Sequence, residues 1–364
     1  MDDTELDSVD PPQGEERDQA PTSLLALTPQ QTEAEVVARG GRAFHARSIR
    51  KHVFERGLVD YGAMTDLSAR LRESLAADLP ILTGTEADRH TARDGAIKLL
   101  TRLTPRRGIS GSVETVYIPS LRSGRGATLC VSTQVGCPVR CPFCASGKWG
   151  LERNLEGHEI LEQYVRGAQT GPLSRSVVMG IGEPLLNLSA VRFALGVVHD
   201  EMGIGARKLT VSTVGFPDRV RSLAQERPRF QLAISLHTPY DDQRDELVPL
   251  MAGVPIEEVL EAGDEWFRAT GREVTYEYVL LGEETDTPDH AAHLAERLSG
   301  RRATVNLIPY NPVPGDRWRR PSGATVDAFR ADLEERGLVA TVRWSRGLEA
   351  DAACGQLRQE HLPG

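Results

Sequence analysis

The chain has 364 residues, 40% of them apolar, with 34 Gly and 22 Pro, which suits a soluble globular protein of one large or two ordinary domains. It has no run of about 18 apolar residues and its start is acidic, which excludes a membrane-spanning helix and argues against a secretory signal. The net charge of −9 would ordinarily speak against nucleic acid, but it is unevenly spread. Residues 1–35 hold ten acids and one base, and the rest of the chain holds 42 of each.

In chain order, the acidic stretch rich in Pro, Gln and Thr is expected to be a disordered tail over 1–38. Residues 39–112 read as a helical accessory domain. "GRAFHARSIRKHVFERG" sets Phe44, Ile49, Val53 and Phe54 near one face, with Arg42, Arg47, Arg50, Lys51 and Arg56 among them. Fourteen Lys/Arg against eight Asp/Glu over 39–107 fit either a solvated basic surface or an RNA-facing one. From 113 to 364 the pattern alternates. "ETVYIP", "ATLCVSTQ", "SVVMG", "KLTVST", "FQLAISLH", "EVTYEYVLL", "ATVNLIP" and "LVATVRW" read as strands. Helical stretches such as 157–169, 217–226, 255–269, 288–299 and 324–336 separate most of them. Such βα alternation argues for a parallel sheet with crossover helices, either open or closed into a full or partial barrel. The unusual residues follow the strands: the cysteine loop, "GIGEP", "STVG", "SLH", "YNPVPG" and Cys354. Ligands bind at the carboxyl ends of strands in such folds, so one site built from these loops is the simplest account.

Four of the five cysteines lie between Cys130 and Gly147. In a cytoplasmic protein, the location expected here, thiols stay reduced and such crowding points to metal or catalysis. Cys137, Cys141 and Cys144 form C-x3-C-x2-C. With Cys130 they could close a four-thiolate zinc site, which would make the chain a zinc-stabilised RNA-binding module without catalysis. Cys130 sits in an expected strand, however, and three thiolates from one loop suit an iron–sulfur cluster with one iron left open.

C-x3-C-x2-C after the first strand of a βα barrel resembles the signature of radical S-adenosylmethionine (SAM) enzymes. More closely, "VETVYIP", "TLCVSTQVGCPVRCPFCASG", "LERNL", "MGIGEPLLN", "VSTVG", "LAISLHTP", "LVPL", "EYVLL", "VNLIPYNP" and "DAACGQL" together resemble the RlmN/Cfr family of rRNA adenine methyltransferases. Ten separated motifs in order, over about 42–358, carry the likeness. It implies an α/β fold: a partial (β/α)6 radical SAM barrel with a small N-terminal helical domain. It also implies a [4Fe-4S] cluster on Cys137, Cys141 and Cys144, with SAM as co-substrate.

By the same resemblance, Cys354 accepts a methyl group, its methylene carbon joins the adenine, and Cys130 frees the product by forming a disulfide. Glu114 of "VETV" is the matching general base. Gly182 and Glu183 match the SAM-binding Gly-Glu, and Ser212, Ser235, Leu236, His237 and Asn311 match further SAM contacts. By themselves these are ordinary strand-end, core or turn residues. Pro184 resembles the branch that methylates adenine C2. The implied partners are 23S rRNA, tRNA and an electron donor such as flavodoxin or ferredoxin. The same chemistry on adenine C8, or on another adenine-containing molecule, is the alternative. Trp149, "GLEADAAC", "GEETDTPDHA" and "GDRWRRP" depart from the family pattern.

Overall fold

The computed structural model describes residues 23–106, 108–313 and 315–357. Among these, the N-terminal part holds α1 (Pro29–Ala38), α2 (Ala43–Arg56) and α3 (Ala69–Asp78). Three antiparallel strands follow, β1 (Thr85–Thr91), β2 (Ile97–Arg106) and β3 (Ile109–Ile118). The barrel then runs β4 (Ala127–Cys130), the hairpin β5 (Gln134–Gly136) and β6 (Leu151–Asn154), α4 (Gly157–Thr170), β7 (Leu173–Val178), α5 (Leu188–Asp200) and β8 (Leu209–Thr213). It continues with α6 (Pro217–Gln225), β9 (Gln231–Ser235), α7 (Asp241–Leu247), α8 (Ile256–Thr270), β10 (Val274–Leu280), α9 (Pro288–Leu298), β11 (Ala303–Pro309), α10 (Gly323–Glu335) and β12 (Val339–Val342).

One ten-stranded sheet joins them in the order β1-β2-β3-β4-β7-β8-β9-β10-β11-β12. Pairing is antiparallel from β1 to β4 and parallel from β4 onward. The parallel part is the expected partial barrel with helical crossovers, extended by β12 at one edge. Its strands read as near-continuous apolar runs because both faces are covered.

Three expectations are corrected. Residues 1–22 of the expected tail lie outside the described residues, but 23–38 are ordered. Thr28 and Gln31 form a capping box ahead of α1, with Pro29 at its first turn. Leu24, Leu25 and Val36 are fully buried, so apolar contacts outweigh the acidic composition. Second, 85–112 is not helical. Its residues form a three-stranded antiparallel extension of the barrel sheet, because Ile97–Arg106 packs against β3 as well as β1. Third, on α2 the buried stripe is Ala46, Ile49, Arg50, Val53 and Phe54, while Phe44 is exposed. Arg50 is therefore not an RNA-facing base. Its Nη1 donates to Leu27 O and Thr32 Oγ1, both at 2.8 Å, and its Nε and Nη2 reach Glu201 at 2.6 and 2.5 Å. One arginine thus ties the N-terminal helices to the end of α5. A single apolar core runs from Leu24 through the barrel to Ala340. A smaller cluster of Val116, Cys130, Ile181, Ala350, Ala352 and Leu357 forms where the C-terminal segment covers β3 and β4.

Candidate active site

The cysteine loop connects β5 to β6. Gly136 has φ +75°, and a Cβ there would meet Gly150 O at 1.9 Å, so the hairpin closes only with glycine. Cys137 N–H donates to Gly150 O at 2.9 Å and Cys144 N–H to Cys141 O at 3.0 Å. Cys137, Cys141 and Cys144 all line one cavity at the carboxyl ends of the barrel strands. Burial pushes the Cys137 thiol up to about 12, and burial plus the charges of Cys144 and Cys137 push Cys141 well up. Burial raises Cys144 as well, so three neighbouring thiols that resist ionisation in the bare protein suit a shared positive centre. Arg244 adds a buried cation: its charge acts on Cys141, Nη2 donates to Val214 O at 2.7 Å, and Nε and Nη1 have no protein partner. The donor set and its surroundings fit a thiolate-bound cluster, which Cys137, Cys141 and Cys144 would hold. Among the described residues no three His, Cys, Asp or Glu side chains meet closely enough to hold one metal ion.

The expected SAM contacts collect around the same cavity, with one exception. Gly182, Glu183, Ser212, Ser235, His237 and Asn311 line it. Gly182 has φ +108°, and a Cβ would meet Gln134 and Thr133 at 2.7 Å. Glu183 is buried, which raises its pKa, but Leu185 N–H and Val214 N–H each donate to its carboxylate at 2.9 Å. The oxygens keep lone pairs for a further donor. His237 stands in the left-handed region at φ +69°. Burial, then the Arg244 charge, holds its imidazole down at about 3, so it is neutral. Val279 N–H donates to its Nδ1 at 3.3 Å, which puts the proton on Nε2. Leu236, between Ser235 and His237, has its side chain fully buried and does not line the cavity.

The C-terminal segment is stitched over this mouth. Ala145 N–H donates to Gly355 O at 2.8 Å, and Ser146 Oγ–H to Leu357 O at 2.6 Å. Asn311 Nδ2 donates to Cys354 O at 2.8 Å, and Gln356 Nε2 to Pro312 O at 3.0 Å. Asn311 therefore holds the segment that bears Cys354 as well as lining the cavity. Cys354 lines the cluster-side cavity and also a second cavity in the amino half of the barrel. Cys130 lines only the second, with Arg175, Thr210, Thr275, Asn306 and Arg343. Burial pushes the Cys130 thiol up to about 12 and raises Cys354, and the Arg343 charge opposes both.

Glu114 lines neither cavity. It is fully buried on β3, opposite Ser132, whose Oγ–H donates to Glu114 O at 2.7 Å. Its carboxylate meets Lys98 Nζ at 2.7 Å. Sequence reasoning missed Lys98, Arg343 and Glu277. Lys98 lay in a stretch read as helical, although its Ile-Lys-Leu-Leu-Thr-Arg-Leu run suits a strand. Arg343 and Glu277 sit on strands already recognised, and only the barrel's curvature turns them inward.

The comparisons agree with this geometry. Residues 131–295 match the radical SAM superfamily, and residues 22–81 match the ribosomal RNA large subunit methyltransferase N-terminal domain. A probable dual-specificity RNA methyltransferase RlmN of Rhodopirellula baltica is 46% identical over 327 residues, covering 88% of this chain and 86% of that one. The chain belongs to the RlmN family. A second RlmN relative, from Synechococcus sp. strain CC9902, is 40% identical over 358 residues, covering 94% of this chain and 98% of its own. The crystal structure of a radical SAM methyltransferase from Sphaerobacter thermophilus superposes with a TM-score of 0.86 at 41% identity, covering 93% and 99% of the two chains. The protein is thus an RNA methyltransferase that uses a [4Fe-4S] cluster and SAM. The N-terminal match, residues 22–81, takes in α1, α2 and α3. Among the described residues no helix is long and apolar enough to cross a membrane.

Proposed function

We propose that the enzyme methylates C2 of an adenine in 23S rRNA, and in tRNA, through a methylated Cys354. The observation that carries this is Cys354 standing between two cavities, with Cys130 beside it in only one. When bound, the cluster and SAM supply the methyl group and the organic radical that activates it. The chain's own residues do the rest. Cys354 takes the methyl on sulfur, and the Arg343 charge favours the thiolate that must react. The adenine must leave its stack to expose its edge, and the second cavity suits a flipped base. The methylene carbon bonds to the adenine carbon, the surplus electron of the radical adduct leaves to the electron-transfer partner, and the Glu114 carboxylate, on the β3 face beside Cys130 rather than in either cavity, takes the proton that the adenine carbon loses. The Cys130 thiolate then attacks Cys354 Sγ. The carbon–sulfur bond breaks with its electron pair going to carbon, which takes up a proton to become the methyl group, and a disulfide remains. A thiol reductant restores the pair, and flavodoxin or ferredoxin supplies electrons to the cluster.

Pro184, buried directly after Glu183, supports C2 over C8. The test is mass mapping of methyladenosine isomers in rRNA and tRNA from cells with and without the gene. Loss of 2-methyladenosine from both is expected, and loss of the 8-methyl isomer alone would overturn the C2 assignment. A second arm tests the cysteines. Cys130→Ala should accumulate a covalent protein–RNA species through Cys354, and Cys354→Ala should form none. Normal turnover by Cys130→Ala would remove that residue from the reaction.

A further inference from the structure

The antiparallel extension does more than widen the sheet. Its register pairs Lys98 on β2 with Val116 on β3, and Val116 with Cys130 on β4. Directly paired residues share a face, so Lys98 stands in the same cross-strand row as Cys130. Glu114 lies two residues from Val116 on that face, a diagonal neighbour of Lys98, and the two side chains close to 2.7 Å. The C-terminal segment covers the face through Ala350, Ala352 and Leu357 packed on Val116 and Cys130. The Lys98–Glu114 pair therefore lies on the same face of the sheet as the segment that carries Cys354.

Burial sets the consequence. The Glu114 side chain is 1% exposed and that of Lys98 10%. A carboxylate taken this far from water is strongly disfavoured unless a cation accompanies it, and without one it takes up a proton instead. A carboxylic acid that already holds its proton cannot accept one from an adenine carbon. We propose that Lys98 is a positioning residue for the base: its ammonium, delivered by β2, keeps the Glu114 carboxylate ionised on the face of β3 that also carries Cys130 in its cross-strand row. The inference rests on the reading of Glu114 as the base. It gives the accessory strands a chemical part in the reaction, since the group that enables proton removal lies outside the barrel.

Lys98 acts only after the RNA is joined to Cys354, which separates its effect from general damage. The experiment uses full-length, iron-loaded protein carrying Lys98→Met, Lys98→Arg or Glu114→Gln, with an rRNA fragment containing the target adenine. Lys98→Met should methylate Cys354 from SAM at the wild-type rate, by peptide mass, and hold wild-type iron. It should release methylated RNA about 100-fold more slowly or worse, the usual scale for a lost general base, and accumulate the same protein–RNA adduct as Glu114→Gln. Lys98→Arg keeps the charge and should restore release to within about tenfold of wild type. Wild-type release by Lys98→Met while Glu114→Gln stalls would overturn the inference and leave the base assignment standing. Joint loss of iron, Cys354 methylation and release in both Lys98 variants would mark a purely structural ion pair and also overturn it. Normal release by Glu114→Gln would instead defeat the base assignment itself, and this inference with it.

Discussion

Each cysteine of the chain sits in surroundings that answer a different substitution. Replacing Cys137, Cys141 or Cys144 by Ala should abolish bound iron, whereas Cys130→Ala and Cys354→Ala should keep it, as counted on anaerobically purified protein. Equal loss from Cys130→Ala would make Cys130 a fourth ligand. His237 makes a separate case, visible in protein without cluster or SAM. Its folded pKa of about 3 lies below the ordinary 6.5. The neutral form is thus favoured by folding, and that stability is complete above about pH 6.5 and lost as pH falls toward 3. The slope in that window is about 1.4 kcal/mol per pH unit. His237→Asn tolerates the left-handed backbone and removes the titration. Urea unfolding of both proteins at pH 7.5 and 5.5 should show the wild type losing about 1 kcal/mol more than the variant. Parallel losses would mean that His237 charges freely in the fold. These roles differ in legibility. The three cluster cysteines are evident from spacing, because one loop brings them together. His237 is buried by tertiary packing, with Phe143 edge-on at 5.0 Å between ring centroids, and no local pattern announces it.

Among the elements, the C-terminal segment depends on a few hydrogen bonds to distant loops. Ser146 Oγ and Asn311 Nδ2 each hold one of its carbonyls. A buried neutral hydrogen bond of this kind contributes about 1 kcal/mol. Ser146→Ala with Asn311→Ala should therefore loosen the segment, slow methylation of Cys354 severalfold, and leave iron content unchanged. Peptide mass analysis after timed incubation with SAM reads the first, and iron counting the second. A methylation rate equal to wild type would show that packing of Ala350, Ala352 and Leu357 suffices. The parallel strands and their crossover helices were legible because apolar runs and polar breaks repeat along the chain. The strands over 85–112 were not, since β1 is exposed throughout and lacks an apolar alternation. That strand exists because β2 offers it a hydrogen-bonding edge, a tertiary cause.

At the scale of the molecule, the N-terminal helices and the barrel share one core, so neither is an appendage. Deleting residues 1–38 removes Leu24, Leu25 and Val36 from that core, at about 1.5–3 kcal/mol each, and strips Arg50 of Leu27 and Thr32. Such a truncation should melt at a clearly lower temperature than the full chain, and calorimetry on both would reveal an unchanged midpoint if the expectation is wrong. Composition misled here: ten acids over residues 1–35 outnumbered the apolar residues that fold. The order of residues by itself determined the family and so the chemistry, since the three-cysteine loop, the Gly-Glu turn and the segments around Cys130 and Cys354 are short motifs whose geometry is local. Only the tertiary structure decided how those motifs meet. Cys130 and Cys354 lie at opposite ends of the barrel sequence, and Lys98 reaches Glu114 through strand register. Asn311 clamps Cys354 through a contact between separate loops. Pairings of that kind are set by how buried faces pack and which edges hydrogen-bond, and no short window of sequence contains them.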